Sequence, residues 1–397
     1  MTISRPPASS SSEELDAVKV LNHLVRRAVS MGASDIHVEP KRDTLRVRYR
    51  VDGVMVPQGQ IPLELAPSLA SRVKVLARMD MTERRLPQDG QFSLELHGHP
   101  LIHLRASTFP AIHGETLVLR VLLSHQLIPL DKLGLAKDDL PRVERLADRP
   151  SGLIAVCGPT GSGKTSTLYS LIKVMKTSEL SIVTLEDPIE VEFADITQGQ
   201  ANPRQGFTFA AGLRAILRQD PDVIMVGEMR DPETAQIALQ ASLTGHLVLS
   251  TLHTSDAVDT VARLVDLGAE SWIVANALLA VIAQRLVRRL CEECAETYEL
   301  EGAVTSDDGD RILIEKGTEL KRAVGCPTCH QTGYRGRLGL FEVLELDDDL
   351  RELIKGRAGK RAYREGARKA GLLPLREAGL LRVKEGVTTL DEVLRVT

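Results

Sequence analysis

Hydrophobic residues in the first third of the chain follow helical and strand-like spacings in turn. The spacing predicts a helix over 13–31, with five apolar residues on one face. These residues are Leu15, Val18, Leu21, Val25 and Val29. A second helix is predicted over 66–79. Alternation typical of half-buried strands covers 44–51, 92–96, 101–106 and 116–123. These elements predict a mixed α/β unit that ends near residue 125.

From residue 140 onward, short apolar runs alternate with helical segments, which is typical of a parallel sheet. The predicted strands are 152–157, 181–186, 222–227 and 246–251, and the predicted helices are 164–176, 208–218 and 232–243. Asp231 can cap the last of these helices, and Gly245 suits its end. A run rich in Ala, Ile and Leu predicts a further helix over 271–290, and a helical tail is expected at the C-terminus.

Composition and charge narrow the class of protein. The 397 residues are 43% hydrophobic and 26% charged, with a net charge of −4, which is typical of a globular chain with several domains. This acidic balance, with 3% aromatic residues, argues against a nucleic-acid groove. No apolar run reaches the roughly 18 residues of a membrane span. The polar N-terminus lacks the apolar core of a signal peptide, so a cytoplasmic protein is predicted.

Residues 158–165 read Gly-Pro-Thr-Gly-Ser-Gly-Lys-Thr and match the phosphate-binding P-loop pattern. A short apolar strand precedes them and a helix follows, which is the context that this motif requires. The glycines let backbone N–H groups face a phosphate, and the helix dipole adds positive potential. Lys164 is predicted to reach the β- and γ-phosphates of ATP, and the Thr165 hydroxyl to hold Mg²⁺. The predicted nucleotide-binding residues are Gly158, Pro159, Thr160, Gly161, Ser162, Gly163, Lys164, Thr165 and Ser166.

Hydrolysis needs further groups beside the phosphates. Glu228 ends the predicted strand 222–227 as a Walker-B-like acid that can order Mg²⁺ or its waters. A second acidic cluster, 186–190, leaves a neighbouring strand, where a carboxylate can orient or deprotonate the attacking water. An acidic turn after a strand is the alternative. His246 and His253 flank one strand, and either a γ-phosphate sensor or a structural histidine fits these positions.

Four of the five cysteines form two C-x-x-C pairs, Cys291 with Cys294 and Cys326 with Cys329. In a reducing compartment such pairs favour a metal over disulfides, and four thiolates suit a tetrahedral structural Zn²⁺. The 31 residues between the pairs exceed the usual spacing, so a reduced set without metal is the alternative. Cys157 lies on the strand before the P-loop and is interpreted as a small buried hydrophobic residue.

These motifs, and the order in which they follow one another along the chain, resemble those of the secretion and type IV pilus ATPase superfamily. The resemblance extends from Gly32 to the C-terminus. The matching segments are 33–40 (Ala-Ser-Asp-Ile-His-Val-Glu-Pro), 50–53 (Arg-Val-Asp-Gly), 85–90, 158–165, 186–190, 217–222, 227–231, 244–246 and 252–254. The resemblance implies a PAS-like N2 domain followed by a RecA-like ATPase domain. It also implies ring-shaped hexamers in which nucleotide sits between these two domains.

The resemblance assigns roles residue by residue. It gives Lys164 and Thr165 the Walker A roles and Glu190 that of the catalytic base. Glu228 takes the Walker B role, and His253 the signature role of the family's His box.

Four arginines also match the family. Arg105 and Arg120 match arginines that reach the phosphates from N2, where they neutralise charge that develops during transfer. Arg214 and Arg218 match arginines near subunit contacts.

The cysteine pairs indicate which branch of the superfamily the chain resembles. Assembly-type and type II secretion ATPases carry such an insertion, whereas pilus-retraction ATPases lack it, and Gly-Tyr-Arg-Gly-Arg at 333–337 is similar to the same branch. The N-terminus departs from the pattern, because most of the long N1 region of many members has no counterpart here. The chain is therefore expected to be a naturally short form or a truncation. Docking on a membrane platform protein would then use N2, the zinc insertion or the C-terminal tail.

The expected fold class is α/β, with a PAS-like N2 domain, a RecA-like P-loop ATPase domain, a zinc-binding insertion and a helical C-terminal tail. The expected segments are a disordered N-terminus 1–12, the N2 domain 13–125, a linker 126–136, the ATPase domain 137–290, the four-cysteine insertion 291–340 and a helical region 341–397.

The leading interpretation is a hexameric ATPase that uses ATP and Mg²⁺, carries Zn²⁺ and powers type II secretion by driving pseudopilus assembly. The resemblance implies a homohexamer, a polytopic inner-membrane platform protein and an adaptor of the secretion or pilus machine as partners. The protein is thus expected to be cytoplasmic and associated peripherally with the inner membrane. A type IV or competence-pilus extension ATPase is the first alternative. A RecA-like nucleic-acid motor and an adaptor that binds ATP without hydrolysis are the others, although no nucleic-acid partner is expected.

Overall fold

The computed structural model describes residues 16–98, 101–122, 127–175, 177–306 and 311–397. The chain divides into two compact units, Met1–His125 and Gln126–Thr397. The segment 1–12, predicted to be disordered, lies outside the described residues. Within the described residues, no helix has the length and apolar character that a membrane crossing requires.

The first unit is a six-stranded antiparallel sheet with two helices. Its strands are β1 (Ala33–Pro40), β2 (Leu45–Val51), β3 (Val54–Ile61), β4 (Gln88–Leu94), β5 (Ile102–Ala111) and β6 (Gly114–Leu122), in the order β3-β2-β1-β6-β5-β4. The helices are α1 (Ala17–Ser30) and α2 (Ala66–Leu76), with a 3₁₀ turn at Leu63–Leu65. Leu21, Val25 and Val73 of these helices share one core with alternate residues of the strands.

Both predicted helices and all four predicted strands of the first unit are confirmed, with shifted ends. Sequence reasoning did not predict β1 and β3 as strands. In β3, Pro57 and Gly59 interrupt the apolar residues, and none of its residues is fully buried, so the alternation that signals a half-buried strand is weak.

The second unit is built on a seven-stranded sheet. Strands of the unit are β7 (Gly152–Cys157), β8 (Ile182–Glu186), β9 (Thr197–Gln200), β10 (Val223–Val226), β11 (Leu247–Leu252), β12 (Leu278–Leu290), β13 (Glu296–Glu299), β14 (Val304–Thr305), β15 (Ile312–Ile314), β16 (Glu319–Arg322) and β17 (Tyr334–Glu345). The large sheet has the order β17-β12-β7-β11-β10-β8-β9. Adjacent strands of this sheet run parallel to each other, except that β17 is antiparallel to β12. The pairs β13–β16 and β14–β15 form two small antiparallel sheets.

Helices accompany this sheet. They are α3 (Asp139–Ala147), α4 (Lys164–Val174), α5 (Phe209–Ile216), α6 (Pro232–Leu243), α7 (Ala257–Asp266), α8 (Ser271–Ala277), α9 (Asp348–Lys355), α10 (Lys360–Lys369), α11 (Leu375–Lys384) and α12 (Leu390–Val396), with 3₁₀ turns at Leu130–Lys132, Pro203–Gln205 and Pro327–Cys329. The predicted cap of α6 is confirmed, because Asp231 Oδ1 accepts a hydrogen bond from the Thr234 N–H at 2.8 Å.

The helix predicted over 271–290 is wrong, because α8 ends at Ala277 and the rest of the run is β12. This strand lies between β7 and β17, and its first seven residues are all buried. A strand that is apolar on both faces has no two-residue alternation, so its sequence resembles that of a buried helix. The helical region expected over 341–397 likewise begins inside β17, which continues to Glu345 before the four C-terminal helices.

Candidate nucleotide and metal sites

Four parallel strands bring the candidate chemistry to one edge of the large sheet. β7 ends directly before Gly158, and β8 ends at Glu186. Glu228 follows β10 closely, and His253 follows β11. Because these strands run parallel and pair with one another, their carboxyl ends meet where α/β sheets bind ligands. His246 precedes β11 and therefore lies at the opposite edge, with Nδ1 3.0 Å from the Ala241 carbonyl oxygen, which supports the structural interpretation of this residue.

The P-loop leaves β7 through Gly158 at φ +148° and enters α4 through Gly163 at φ +87°. A Cβ at Gly158 would lie 2.5 Å from the Gln284 carbonyl oxygen, so the tight turn requires glycine. The Lys164 amine donates to the carbonyl oxygens of Gly158 at 2.9 Å and Pro159 at 3.1 Å. Burial lowers the pKa of Lys164. This amine is therefore held inside the loop by two neutral acceptors.

The other predicted loop residues differ in their exposure to solvent. Pro159, Thr160 and Gly161 are exposed, whereas Thr165 and Ser166 are half-buried in the first turn of α4. Ser162 is buried, and its hydroxyl has no hydrogen-bond partner in the part of the chain that the structure describes. A phosphate oxygen would supply that partner, so the loop fits the group that the motif predicts.

The side-chain amide of Gln284, on β12, forms hydrogen bonds with the P-loop and with the helix that follows it. Its Nε2 donates to the Ser162 carbonyl oxygen, and its Oε1 accepts from the Thr167 hydroxyl at 2.7 Å. Gln284 is 1% exposed, so both ends of this amide are used in a dry setting. Sequence reasoning missed Gln284, because it lies inside the run predicted as a helix and its partner is 122 residues away along the chain.

Glu228 lies between two basic groups. Its Oε1 is 2.7 Å from the Arg230 Nε, and its Oε2 is 3.5 Å from the His253 Nε2. The Glu228 side chain is 14% exposed, whereas the Arg230 side chain is 71% exposed. The structure thus brings Glu228 and His253 together and adds Arg230, to which sequence reasoning gave no role.

The two acids at the ends of the 186–190 cluster have different environments. Glu186 is 2% exposed and accepts hydrogen bonds from the Tyr169 hydroxyl, from the Thr184 hydroxyl at 2.6 Å and from the Gln198 amide at 3.1 Å. Glu190 is exposed, and its backbone N–H donates to the Tyr169 hydroxyl at 3.2 Å. Burial raises the pKa of Tyr169 above its ordinary value. Glu186 is therefore fixed in the protein interior by hydrogen bonds, whereas the Glu190 carboxylate is accessible to water.

The predicted arginines lie in both units. Arg105 and Arg120 are direct partners on β5 and β6 of the first unit, and the Arg120 Nε is 2.9 Å from Asp35 Oδ1. Arg214 and Arg218 are exposed residues of α5 and the turn after it. The Arg218 Nη1 donates to the Arg214 carbonyl oxygen at 2.8 Å.

The four predicted cysteines form one cluster, in which all Sγ atoms lie within 4.8 Å of one another. The Sγ–Sγ distances are 3.8 Å for Cys291–Cys326, 3.8 Å for Cys294–Cys329 and 3.7 Å for Cys326–Cys329. A tetrahedral Zn²⁺ with Zn–S bonds of about 2.3 Å requires sulfurs about 3.8 Å apart. The geometry of this four-cysteine cluster therefore fits zinc.

Backbone donors favour a thiolate at Cys329. The N–H groups of Cys326 and Gly333 lie 3.1 and 3.2 Å from the Cys329 Sγ. Burial alone would raise the pKa of Cys329, but these donors, together with the Cys326 and Cys294 thiols, bring it down to about 6. Cys291 directly follows β12, and Gly333 directly precedes β17. The cluster therefore lies where the paired strands β12 and β17 meet the insertion between them.

Comparisons with known proteins agree with this architecture. The family model described as "Type II/IV secretion system protein" matches residues 11–395. The type II secretion system ATPase E of Vibrio cholerae is 48% identical, over 98% of this chain and 76% of that protein. The type IV pilus assembly ATPase PilB of Myxococcus xanthus is 42% identical, over 97% of this chain and 68% of that protein.

Solved structures show the same fold. The pilus retraction motor PilT with bound ADP is 27% identical, covers 95% of this chain and 96% of its own, and has a TM-score of 0.61. The Legionella pneumophila ATPase DotB is 20% identical, covers 98% of this chain and 97% of its own, and has a TM-score of 0.70. The α/β fold with a parallel sheet that the sequence predicted is therefore confirmed.

Proposed function

Because the chain belongs to the family of type II/IV secretion system proteins, we propose that it is a Mg²⁺-dependent ATPase that powers type II secretion by driving pseudopilus assembly. The observation that carries the proposal is 48% identity to a type II secretion ATPase along 98% of the chain. The meeting of P-loop, acid and histidine at one sheet edge supplies the chemistry that such an enzyme needs.

The phosphates of ATP would bind at the N-terminus of α4. There the loop N–H groups and the helix dipole attract anions, and the Ser162 hydroxyl gains its missing partner. The Lys164 amine would turn from two carbonyl oxygens to the β- and γ-phosphates. Thr165 and Glu228 are the groups that would hold Mg²⁺ or its waters, and this ion would neutralise charge on the phosphates. His253, in contact with Glu228, would sense whether a γ-phosphate is present.

Glu190 would act as the general base. Its exposed carboxylate can take a proton from water as that water attacks the γ-phosphorus and the bond to ADP breaks. Arg105 and Arg120 would supply positive charge from the first unit, which we assign as the PAS-like N2 domain. Arg214 and Arg218 would contact a neighbouring subunit of a homohexamer, so hydrolysis would depend on assembly.

We assign a structural Zn²⁺ to the four-cysteine cluster. The sulfur spacing and the N–H donors both suit four thiolates, and the ion would lock the insertion onto the end of β12 and β17. No residue of the P-loop belongs to this cluster, so the metal would stabilise the fold and take no part in hydrolysis.

The enzyme would work at the cytoplasmic face of the inner membrane, on a polytopic platform protein and an adaptor of the machine. The second candidate is a type IV pilus extension ATPase, which the 42% identity to the Myxococcus xanthus pilus ATPase favours. Deletion of the gene in its host separates the two. Loss of secreted enzymes with intact pili supports type II secretion, whereas loss of pili with intact secretion supports the pilus ATPase.

Two variants of the purified full chain test the chemistry. Lys164→Ala should lose ATP binding and hydrolysis. Glu190→Gln should still bind nucleotide but lose about a hundredfold or more in kcat, as expected when a general base is removed. Glu192→Gln, which changes an exposed acid two positions further on, is the matched control and should behave like wild type. Wild-type hydrolysis by Glu190→Gln would show that the base assignment is wrong, and wild-type hydrolysis by Lys164→Ala would refute the P-loop ATPase.

A further inference from the structure

The buried hydroxyl of Tyr169 connects the P-loop helix to the loop that carries Glu190. Tyr169 lies on α4, the helix that begins at Lys164, and is 3% exposed. Its O–H donates to Glu186, and its oxygen accepts from the Glu190 N–H at 3.2 Å. One hydroxyl therefore uses both its donor and an acceptor position to join three elements of the site.

Glu186 fixes the position of that hydroxyl. Its second carboxylate oxygen accepts from the Thr184 hydroxyl at 2.6 Å and the Gln198 amide at 3.1 Å. A buried carboxylate with several donors cannot move away without leaving a charge unpaired in a dry setting, which is costly. The Tyr169 oxygen is thus held where it faces the Glu190 backbone.

Gln198 holds the same loop from its other side. Its Nε2 also donates to the Val191 carbonyl oxygen at 3.0 Å, and its Oε1 accepts from the Phe193 N–H at 2.8 Å. The Phe193 ring packs edge-on against Tyr169, with centroids 5.2 Å apart and an angle of 72°. The backbone around Glu190 is therefore tied at three points, while the Glu190 carboxylate itself is exposed.

We propose that Tyr169 is a positioning residue, which holds the Glu190 carboxylate in register with the P-loop. The inference rests on the proposed function of Glu190 as the general base. Because α4 starts at the phosphate-binding loop, one rigid helix would set the positions of both the phosphates and the base. Without the hydroxyl, the Glu190 N–H loses its partner and the carboxylate moves relative to the attacking water, and a displacement of about 1 Å can cost about a hundredfold in rate.

Tyr169→Phe in the full chain is the direct test, since it removes the hydroxyl and keeps the ring against Phe193. We expect kcat to fall about ten- to a hundredfold, while KM and the Kd for a fluorescent ADP analogue stay within about threefold. Tyr49→Phe is the matched control. Tyr49 is buried in the first unit, and its hydroxyl donates to the Leu24 carbonyl oxygen at 2.9 Å, so this variant loses a comparable bond and should keep its kcat.

A double-mutant cycle distinguishes positioning from a merely structural role. If Tyr169 acts through Glu190, then adding Tyr169→Phe to Glu190→Gln should change the residual rate by less than about twofold. A fall by the same factor in both backgrounds, or a wild-type kcat for Tyr169→Phe, overturns the inference. Wild-type hydrolysis by Glu190→Gln alone is a separate result, because it refutes the proposed base itself.

A second variant covers the case in which Tyr169→Phe does not fold. Gln198→Leu removes the bonds to Val191 and Phe193 and one donor to Glu186 Oε1. The Tyr169 hydroxyl keeps its own partners, Glu186 Oε2 and the Glu190 N–H, and Glu186 keeps the Thr184 hydroxyl. Because the loop is then tied on one side only, kcat should fall with little change in the Kd for ADP. A wild-type kcat for this variant would contradict the view that tethering of the loop sets the rate.

Discussion

Gln284 offers a way to weaken the P-loop without touching a group that meets the phosphates. Gln284→Leu keeps the burial of the side chain but removes the donor to the Ser162 carbonyl and the acceptor of the Thr167 hydroxyl. The Thr167 hydroxyl lies one helical turn after the Gly163 carbonyl, which already accepts the Thr167 N–H at 3.1 Å, and can turn to it. Among the residues that the structure describes, the Ser162 carbonyl accepts from no backbone N–H, so the loss of the Gln284 donor determines the effect.

The size of the effect follows from that carbonyl. A buried acceptor without a partner costs about 1–3 kcal/mol. In the variant, the empty loop would relax until the carbonyl meets water, and nucleotide binding would have to reverse this relaxation. At about 1.4 kcal/mol for each factor of ten, the Kd for ADP should rise about 5- to 150-fold.

Fluorescence anisotropy of labelled ADP measures this change, with thermal unfolding of the same samples. Thr167→Val is the matched control, because it removes a hydrogen bond from the same amide but leaves the tie to Ser162. It should lower the unfolding temperature yet keep the Kd within about threefold. An unchanged Kd for folded Gln284→Leu, or equal weakening by Thr167→Val, would refute the reasoning.

Three further predictions concern the metal, pH and the loop glycine. Zinc removal by a chelator should expose the four-cysteine insertion to protease and leave the Kd for ADP unchanged; metal analysis with limited proteolysis checks this, and weakened ADP binding would argue against a purely structural ion. Glu392→Gln should lower the unfolding free energy at neutral pH by about 2 kcal/mol. Burial alone would raise the pKa of Glu392, but hydrogen bonds from Arg395 and Arg288 bring it to about 2, below the ordinary 4.5. This stabilisation is therefore present above pH 4.5 and is lost as pH falls towards 2, so thermal unfolding across that window should show the difference from wild type disappearing; a difference independent of pH contradicts the assignment. Gly158→Ala should abolish nucleotide binding, because its Cβ would lie 2.5 Å from the Gln284 carbonyl oxygen; calorimetry with ADP measures this, and wild-type affinity would contradict the tight turn.

Local patterns were enough to predict much of the second unit. β7, the P-loop and α4 follow from an apolar run, three glycines and a helical repeat that are contiguous in the chain. The start of α6 follows from Asp231, whose side chain caps its own helix through a contact within three residues. Such features need no knowledge of the rest of the fold.

The parts that were missed depend on distant contacts. β12 is a strand because β7 and β17 cover it, and its own sequence contains no alternation to show this. Gln284 acquires its role only when that strand lies beneath the P-loop. Tyr169 carried a weak signal, because a tyrosine among the apolar residues of a helix needs a partner for its hydroxyl, but the partners lie on β8 and the loop after it.

We propose that this chain hydrolyses ATP at sites completed by neighbouring subunits. The most direct test is the Mg²⁺-dependent ATPase rate per subunit against protein concentration, with light scattering for mass on the same samples. We expect a rate per subunit that rises as the mass moves from monomer towards hexamer. A constant rate per subunit in a protein that stays monomeric would contradict it.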